Sequence, residues 1–251
     1  MLALIPLEGL PLIREGDDLA FLITHALGGP AAWRIGDVLV VAQKIVSKAE
    51  GRVVTLDSVV PTERAVALAA ETEKDPRVVE LILRETREVL RTRPGLIVVE
   101  DHRGFICANA GIDRSNIEQS GSSESVALLP EDPDASACRI RDRLRDLTGY
   151  SLGVIINDSH GRAFREGTTG VAIGLAGAPA LADRRGDPDL TGYVLQHTVI
   201  AIADEIAGAA SILMGPAAEG VPAVLVRGLN LALSDSTARD LQRPKEKDLF
   251  R

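Results

Sequence analysis

A short, wholly apolar segment in the second half of the chain constrains the fold more than any other feature. Residues 152–156 carry no polar side chain, and the sequence then changes abruptly to Asn157-Asp158-Ser159. Short apolar runs bounded by polar residues are typical of buried strands. Residues 37–42 and 222–226 show the same pattern, so the sequence predicts buried strands at three separate places.

Helices and a hairpin are predicted between these strands. The predicted helices cover residues 17–27, 62–72, 76–92, 137–149 and 199–213. In the segment 76–92, Val79, Ile82 and Leu90 form one apolar stripe, while Glu80 and Arg84 lie on a solvated face. Residues 96–100 and 104–108 flank a short polar turn and predict a hairpin. Helices and strands follow one another without a regular β-α-β order, so we predict an α+β fold.

The net charge excludes several functional classes. The chain of 251 residues has 28 Lys and Arg against 36 Asp and Glu, a net charge of -8. Sequence-independent DNA binding needs a basic face, and stacking of single strands needs aromatic side chains, which make up only 3% here. We therefore expect no nucleic-acid partner. A local cluster of basic side chains can still bind a small anion.

The sequence shows no signal for export or membrane insertion. Its longest uncharged stretch, residues 167–182, is too short to cross a bilayer and contains four glycines and a proline. Cys107 and Cys138 form no CxxC motif, which argues against a disulfide framework or a structural zinc site. We expect a cytoplasmic protein with two reduced thiols and no membrane partner.

The first candidate cluster follows the predicted strand 104–108. Asp113 can ligate a hard divalent cation, which prefers oxygen ligands, and Asn116 can hydrogen-bond a base or a ribose. The alternative is a polar turn in which Asp and Asn side chains cap backbone amides.

The second candidate cluster follows the apolar strand 152–156. Asp158 and Ser159 supply a carboxylate and a hydroxyl at the predicted strand end, an arrangement that holds Mg²⁺ or Mn²⁺ near phosphate oxygens. Arg162 and Arg165 can make forked contacts to phosphate or carboxylate. The alternative is a turn with solvated arginines. His160 has no partner histidine at ligand spacing, so we interpret it as a surface or site-lining residue.

Two further segments carry weaker signals. Lys44 and Lys48 follow the predicted strand 37–42, and lysines at a strand end can reach phosphates as point charges. Residues 213–222 contain two glycines and two prolines, which favours a fixed loop whose backbone can approach a ligand. Solvated lysines and a plain helix-to-strand connection are the alternatives. The P-loop and Rossmann glycine motifs are absent from the sequence, so a nucleotide site would be built differently.

Taken in order, these segments resemble the coenzyme F420-0:γ-L-glutamyl ligase family. The resemblance runs from residues 8–13 to residues 222–230 and includes the segments 36–41, 46–52, 109–116, 161–165 and 203–206. It implies a two-lobed α+β architecture with mixed sheets in an intertwined homodimer. It also implies one functional unit over residues 1–251, without a readable boundary between the lobes.

The activity implied by this resemblance is formation of an amide between L-glutamate and the lactyl carboxylate of F420-0, followed by addition of a further γ-linked glutamate. GTP would phosphorylate the acceptor carboxylate, and the glutamate amine would attack the acyl phosphate. The implied cofactor is Mn²⁺ or Mg²⁺, with K⁺ as a further candidate. The partners would be F420-0, L-glutamate and GTP.

Site residues carry over from the resemblance by position. Asp113, Asp158 and Ser159 resemble the metal ligands. The guanine-nucleotide contacts would be Leu10, Pro11, Leu12, Ile13, Gln43, Lys44, Lys48, Asn116, Met214, Gly215, Ala217, Ala218, Glu219, Gly220 and Val221. As a separate hypothesis, we assign Arg162 and Arg165 a catalytic role in holding the γ-phosphate or an incoming carboxylate.

Two positions depart from the family pattern. Pro216 stands where relatives often have a glutamate ligand to a second metal, and Glu219 is the candidate replacement. Gln43-Lys44 replaces a Ser-Thr pair of some relatives. Two other functions therefore stay open, namely the same chemistry on a different carboxylic acid or F420 variant, and nucleotide binding without catalysis.

Overall fold

The computed structural model describes residues 1–119 and 124–249. In chain order its helices and strands are β1 (Ala3–Pro6), α1 (Leu19–Ala26), β2 (Val38–Ala42), α2 (Gln43–Ala49), β3 (Val53–Thr55), α3 (Glu63–Thr72), α4 (Pro76–Arg84), β4 (Thr86–Arg93), β5 (Leu96–Asp101), β6 (Ile106–Ala108), β7 (Ser125–Ala127), α5 (Pro133–Thr148), β8 (Gly153–Arg162), β9 (Arg165–Ala176), β10 (Ala182–Asp183), β11 (Val199–Ile200), α6 (Ile202–Met214) and β12 (Ala223–Arg227). Helices and strands are intermixed, which confirms the predicted α+β class.

The central element is a mixed five-stranded sheet in the order β1-β12-β2-β8-β9. β2 and β8 are parallel, with Val38 opposite Gly153 and Ala42 opposite Asn157. The pairs β1–β12, β12–β2 and β8–β9 are antiparallel. The three predicted apolar strands thus lie side by side in the middle of the sheet, where both of their faces are covered.

Apolar side chains leave both faces of this sheet, as the alternation of a β-strand requires. Leu39, Val41 and Ile156 point into one cluster, which is completed by α1 and α5. Val40 and Ile155 point into a second cluster, which is closed by α6. Each of these five side chains is fully buried. Their burial on both faces explains why these strands contain almost no polar residues.

A third apolar cluster lies in the segment between α2 and α5. It joins α3 and α4 to the antiparallel sheet β4-β5-β6, with Val79, Ile82, Ile97 and Val99 fully buried. The pair β3–β7 connects the ends of this segment. The predicted hairpin of residues 96–108 is confirmed as β5–β6.

Capping side chains mark the starts of four helices, and α5 begins at Pro133 and not at the predicted residue 137. Asp18, Thr62, Asp75 and Asp132 each accept a hydrogen bond from a backbone amide in the first turn of the following helix. Gly149 ends α5 in the left-handed conformation that glycine adopts without strain. Across the part of the chain that the structure describes, the helices fall short of the length and apolar character needed to cross a membrane.

The predicted helix over residues 76–92 is wrong in its second half. Helix α4 ends at Arg84, and residues 86–93 form strand β4, which pairs with β5 across a turn at Pro94-Gly95. The Pro-Gly turn makes this pairing possible, and Thr86, Val89 and Thr92 have the branched side chains that strands favour. Pairing with a buried strand therefore overrides the helical spacing.

Two further predicted boundaries need correction. The strand predicted to end at Ile156 continues as β8 to Arg162, because β9 pairs with it over almost its whole length. The uncharged stretch 167–182 holds most of β9, which the sequence did not predict as a strand. Val199 belongs to β11 and not to the last helix, which begins at Ile202.

A buried ionic network ties the end of α4 to the two ends of the segment between α2 and α5. Glu85, at the end of α4, forms ion pairs with Arg103 and with Arg52, the latter at 2.7 Å. Arg103 also pairs with Asp101 and donates to the carbonyl of Pro130 at 2.7 Å. Burial disfavours the charge on Glu85, but the two arginines outweigh it and hold the pKa of Glu85 below its ordinary value.

We predict that Glu85→Gln lowers the free energy of unfolding by about 3 kcal/mol at neutral pH, because it leaves two arginines without their shared carboxylate. The pKa of Glu85 is lowered on folding, so the stabilisation is present above the unfolded-state pKa near 4.5 and is lost as the pH falls through the folded-state pKa. The stability difference between wild type and variant should therefore shrink in acid. Denaturant unfolding at several pH values measures it.

Glu88→Gln is the matched control. Glu88 pairs with Lys245 at the surface, and such pairs contribute little. Equal destabilisation by the two substitutions would contradict the importance assigned to the buried network.

Candidate functional site

Three segments with predicted nucleotide contacts lie at one edge of the five-stranded sheet. β1 and β2 run in the same direction, because each is antiparallel to β12, and β8 is parallel to β2. The chain therefore leaves β1 toward residues 10–13 and leaves β2 toward Gln43 at this edge, and β12 enters from residues 214–221. In open α/β sheets, ligands bind outside the carboxyl ends of strands in this way.

Three side chains at this edge form what we name the lysine–aspartate cluster: Lys44, Asp113 and Ser115. The Lys44 ammonium lies 2.9 Å from Oδ2 of Asp113 and donates to the Ser115 hydroxyl at 2.7 Å. The second oxygen of Asp113, Oδ1, accepts from the Ser115 backbone amide at 2.7 Å. Positions 44 and 113 are thus brought together by the fold.

A second lysine and the glycine-rich loop adjoin this cluster. Lys48 donates to the carbonyl of Asn116 at 2.7 Å, and the Asn116 side-chain amide donates to the carbonyl of Ala217 at 2.8 Å. Asn116 has a φ of +57°, a left-handed conformation that asparagine tolerates better than most residues. Asn116 therefore joins the helix α2 to the loop 214–221.

Burial and neighbouring charges both shift the pKa values of Asp113 and Lys48. Burial tends to raise the pKa of Asp113, but the Ser115 amide and the Lys44 ammonium hold it below its ordinary value, so the carboxylate is ionised. Burial and the neighbouring Lys44 lower the pKa of Lys48, while Glu118 opposes them. Two lysines held this close repel each other unless an anion lies between or beside them.

Both lysines belong to a helix that the sequence analysis did not predict. Helix α2 begins at Gln43, directly at the end of β2, and not in a loop. Lys44 and Lys48 are one helical turn apart and share a face. Gln43 faces the interior, where it is buried and accepts from the Ser47 hydroxyl at 2.9 Å. Its predicted nucleotide contact stays a prediction.

The loop 214–221 folds back on itself. The Glu219 carboxylate accepts from the Ala217 amide at 2.8 Å, and it lies so close beneath Gly215 that a Cβ at position 215 would overlap it. At the start of the loop, the Asn157 amide contacts the Met214 sulfur at 3.4 Å. Glycine at position 215 is therefore required for Glu219 to fold under the loop.

The remaining predicted nucleotide residues differ in accessibility. Leu12 is 78% exposed, Pro11 is exposed and Leu10 is half-buried, whereas Ile13 is buried in the core. In the loop 214–221, Ala217, Ala218, Glu219 and Gly220 are exposed, Gly215 is half-buried, and Met214 and Val221 are buried. Ile13, Met214 and Val221 therefore anchor these two segments to the core.

Asp158 and Ser159 lie on β8 just beyond the last residue pair that joins it to β2. Oδ2 of Asp158 is 3.0 Å from Nε2 of His160, whose ring meets Phe105 edge-on with centroids 6.4 Å apart. His160 thus lines the site and is not a lone surface residue. The Ser159 side chain is on the opposite face of β8 from these two.

The predicted metal ligands have separate partners in this structure. Asp113 contacts Lys44, Asp158 contacts His160, and Glu219 contacts its own loop. Within residues 1–119 and 124–249, no three Asp, Glu, His or Cys side chains lie close enough together to hold a metal ion. The carboxylate and hydroxyl donors of Asp158 and Ser159 still have the chemistry that hard cations prefer. The ligand set stays a prediction.

Arg162 and Arg165 are placed apart from the lysine–aspartate cluster. They flank the exposed turn between β8 and β9, and Arg162 donates to the carbonyl of Glu166 at 3.2 Å. At the usual rise of a strand, Arg162 lies roughly 16 Å beyond Asn157, the residue level with the end of β2. Their predicted catalytic role stays a prediction.

Ser115 is a contributor that the sequence analysis left without a role. It bonds both Asp113 and Lys44, and the signal available for it was its place two residues after Asp113.

Asp204 is another residue to which the sequence analysis gave no role. Its carboxylate accepts from the amide of Ala172 at 2.9 Å, and burial raises its pKa against the effects of that bond and of His160.

Comparison with known proteins shows the family of the chain. A family model described as F420-0:Gamma-glutamyl ligase matches residues 9–228, which include the lysine–aspartate cluster and the loop 214–221. The chain belongs to the F420-0:gamma-glutamyl ligase family. Membership confirms the resemblance drawn from the sequence motifs and supports a ligase.

Relatives of this family match the chain over nearly its whole length. The coenzyme F420:L-glutamate ligase of Methanothermobacter thermautotrophicus is 47% identical over 100% of this chain and 99% of that protein. The enzyme of the same description from Methanopyrus kandleri is 48% identical over 98% and 97%. That of Archaeoglobus fulgidus is 46% identical over 98% and 95%.

We predict that Asn116→Asp loosens the loop 214–221. The substitution keeps the size and the tolerance of a left-handed backbone but replaces the donor to Ala217 by a carboxylate oxygen. Loss of one such hydrogen bond should speed amide exchange in the loop about fivefold. Hydrogen-exchange mass spectrometry measures this directly.

Asn230→Asp is the matched control, because Asn230 is also exposed and also has a positive φ, of 51°. It should leave exchange in the loop 214–221 unaltered. Unaltered exchange in Asn116→Asp as well would show that the bond to Ala217 does not hold the loop.

Proposed function

We propose that this protein is a GTP-dependent ligase that joins L-glutamate to the lactyl carboxylate of coenzyme F420-0 and then adds a further glutamate through a γ-linkage. A carboxylate is a poor electrophile, and transfer of the γ-phosphoryl group makes its oxygen a leaving group. The glutamate amine then attacks the carbonyl carbon of the acyl phosphate, and inorganic phosphate leaves. The names of the relatives support the acceptor and the amino acid.

The proposal is based on five groups that lie together at one edge of the sheet: Lys44, Lys48, Asp113, Asn116 and the loop 214–221. This arrangement places two ammonium groups beside a loop whose residues 217–220 are exposed. A triphosphate fits such a place, because ammonium groups and backbone amides both stabilise phosphate oxygens.

Each group of this edge has a part in the proposed reaction. Lys48, and Lys44 beside it, balance the charge of the triphosphate and of the phosphate that is transferred. Asn116 holds the loop 214–221 closed against α2, so that nucleotide and acceptor stay oriented for in-line transfer. The exposed residues of the segment 10–13 and of the loop provide the remaining nucleotide contacts.

A divalent cation, Mn²⁺ or Mg²⁺, belongs to this proposal, with K⁺ as a further candidate. Asp158 would hold it, with Asp113, Glu219 and Ser159, whose side chain is on the opposite face of β8, as further candidate ligands. When bound, the cation supplies positive charge to the phosphate oxygens. His160 keeps the Asp158 carboxylate oriented through the 3.0 Å contact.

Arg162 and Arg165 complete the proposed site as residues that hold an anionic group of the substrates. Both side chains are exposed at the end of the β8–β9 hairpin, and guanidinium groups bind carboxylate and phosphate in a forked manner. Their exposure makes them available to a substrate that lies against the hairpin.

The assembly of the protein is part of the same proposal. We infer a single functional unit over residues 1–251 with two lobes, formed by the five-stranded sheet and by the third cluster. We infer a homodimer, which is supported by the apolar side chains Leu190, Tyr193 and Val194 exposed between β10 and β11. A cytoplasmic location fits a ligase that uses GTP.

Incubation of the purified protein with F420-0, L-glutamate, GTP and Mn²⁺, followed by mass spectrometry, tests the function. We expect products larger than F420-0 by one and then two glutamate residues, together with phosphate release. Phosphate release with another carboxylic acid but not with F420-0 would favour a different acceptor. Binding of GTP and Mn²⁺ by calorimetry without turnover would favour a non-catalytic protein.

Lys48→Met should raise the KM for GTP at least about tenfold in this assay, because it removes a charge-assisted contact to phosphate. Lys74→Met is the matched control, since Lys74 is also partly buried but lies between α3 and α4. It should leave the KM for GTP unaltered. Equal effects of the two substitutions would exclude a specific role for Lys48.

A further inference from the structure

A polar side chain, Asn157, is buried among apolar ones at the end of β8. Asn157 is the last residue of β8 that pairs with β2, opposite Ala42, and it is only 5% exposed. Alternate residues of a strand share a face, so its side chain lies on the same face as Ile155, which packs in the second apolar cluster against α6. An amide therefore occupies a position that the packing alone would give to an apolar side chain.

The Asn157 amide has a single hydrogen-bond contact among the residues that the structure describes. Its nitrogen donates to the sulfur of Met214 at 3.4 Å, and a thioether sulfur is a weak acceptor. Its oxygen, Oδ1, is buried and has no hydrogen-bond partner within this part of the chain. A buried carbonyl oxygen without a partner lowers stability, so its presence in a native protein calls for a reason.

The neighbouring backbone leaves room for this amide. A Cβ at position 170, on β9, would lie 2.6 Å from Oδ1 of Asn157 and 2.7 Å from the carbonyl oxygen of Ala207 in α6. Both distances are shorter than such atoms can approach, so glycine at position 170 lets the amide fit between β9 and α6.

The partner of the amide, Met214, is where α6 ends and the loop 214–221 begins. Its side chain is almost fully buried, and Gly215 follows with a φ of +62°. Methionine side chains are flexible, so a directed contact restricts Met214 more than apolar packing alone does. Asn116 holds the middle of the loop through Ala217, and Asn157 contacts its start. The loop is thus attached at two points.

We propose that Asn157 is a positioning residue of the nucleotide site: through Met214 it holds the start of the loop 214–221 at the end of β8. The unpaired oxygen is the cost in stability of turning the amide nitrogen toward the sulfur. This inference rests on the proposed function, in which the loop contacts GTP. Asn157 itself acts through Met214 and does not touch the substrates.

Asn157→Leu tests the proposal, because leucine branches at the same carbon but lacks both the donor and the unpaired oxygen. We expect the melting temperature to rise by about 3 °C, since the position stays filled and the buried oxygen is gone. We expect the KM for GTP to rise about fivefold, because the start of the loop is less well held, and the KM for L-glutamate to stay unaltered.

Thr24→Val is the matched control. The Thr24 hydroxyl oxygen is also buried without a hydrogen-bond partner among the described residues, but it lies on α1, within the first apolar cluster. This variant should also raise the melting temperature, and it should leave both KM values unaltered. It separates the removal of an unpaired polar atom from the effect on the loop.

Met214→Leu removes the sulfur and approximately keeps the volume of the side chain. It should raise the KM for GTP about threefold. The double variant Asn157→Leu/Met214→Leu should show no larger KM than Asn157→Leu alone, because both substitutions remove the same contact.

Three outcomes overturn the inference while the proposed function stands: an unaltered KM for GTP in a folded Asn157→Leu, a lower melting temperature of that variant, or additive effects in the double variant. Should Asn157→Leu not fold, Met214→Leu decides, and a wild-type KM for GTP in it overturns the inference. Wild-type protein that neither turns over nor binds GTP would overturn the proposed function together with this inference.

Discussion

The parallel pairing of β2 with β8 is the constraint on which the rest of the site depends. It aligns the ends of two strands that are more than a hundred residues apart in the sequence. Because β2 leads directly into α2, the same pairing places Lys44 and Lys48 at the edge where Asp158 follows the last residue of β8 that pairs with β2. Antiparallel β12 then brings the loop 214–221 to this edge from the other side.

The segment between α2 and α5 supplies the anion that faces these lysines. Its third apolar cluster gives the segment a core of its own, and the network of Glu85, Arg52 and Arg103 attaches it to the chain that follows α2. Arg52 also donates to the carbonyl of Leu129, just after β7. Asp113, which is hydrogen-bonded to β7, is thereby held at the distance that its contact with Lys44 requires.

Much of this architecture could be predicted from the sequence, because its central strands are buried on both faces. The apolar runs at residues 37–42, 152–156 and 222–226 predict its three central strands. The second half of the segment 76–92 could not be predicted correctly from its spacing. Its conformation depends on pairing with β5, which local periodicity does not report.

For the candidate site, the sequence indicated the residues but not the contacts between them. Residue type and order were enough to indicate Lys44, Lys48, Asp113, Asn116 and the loop 214–221 through their family resemblance. Their contacts were not readable, since the Lys44–Asp113 pair spans 69 positions and depends on two anchored backbones. The length of β8 was also hidden, because its polar end is held only by hydrogen bonds to β9, and this extension carries Arg162 away from the lysines.

The central claim is that one edge of the five-stranded sheet binds the nucleotide. Hydrogen-exchange mass spectrometry of the wild-type protein, with and without GTP and Mn²⁺, tests it most directly. The account predicts that protection by the nucleotide is concentrated in residues 10–13, 43–48, 113–116 and 214–221. Protection concentrated elsewhere, with these four segments unaltered, would contradict it.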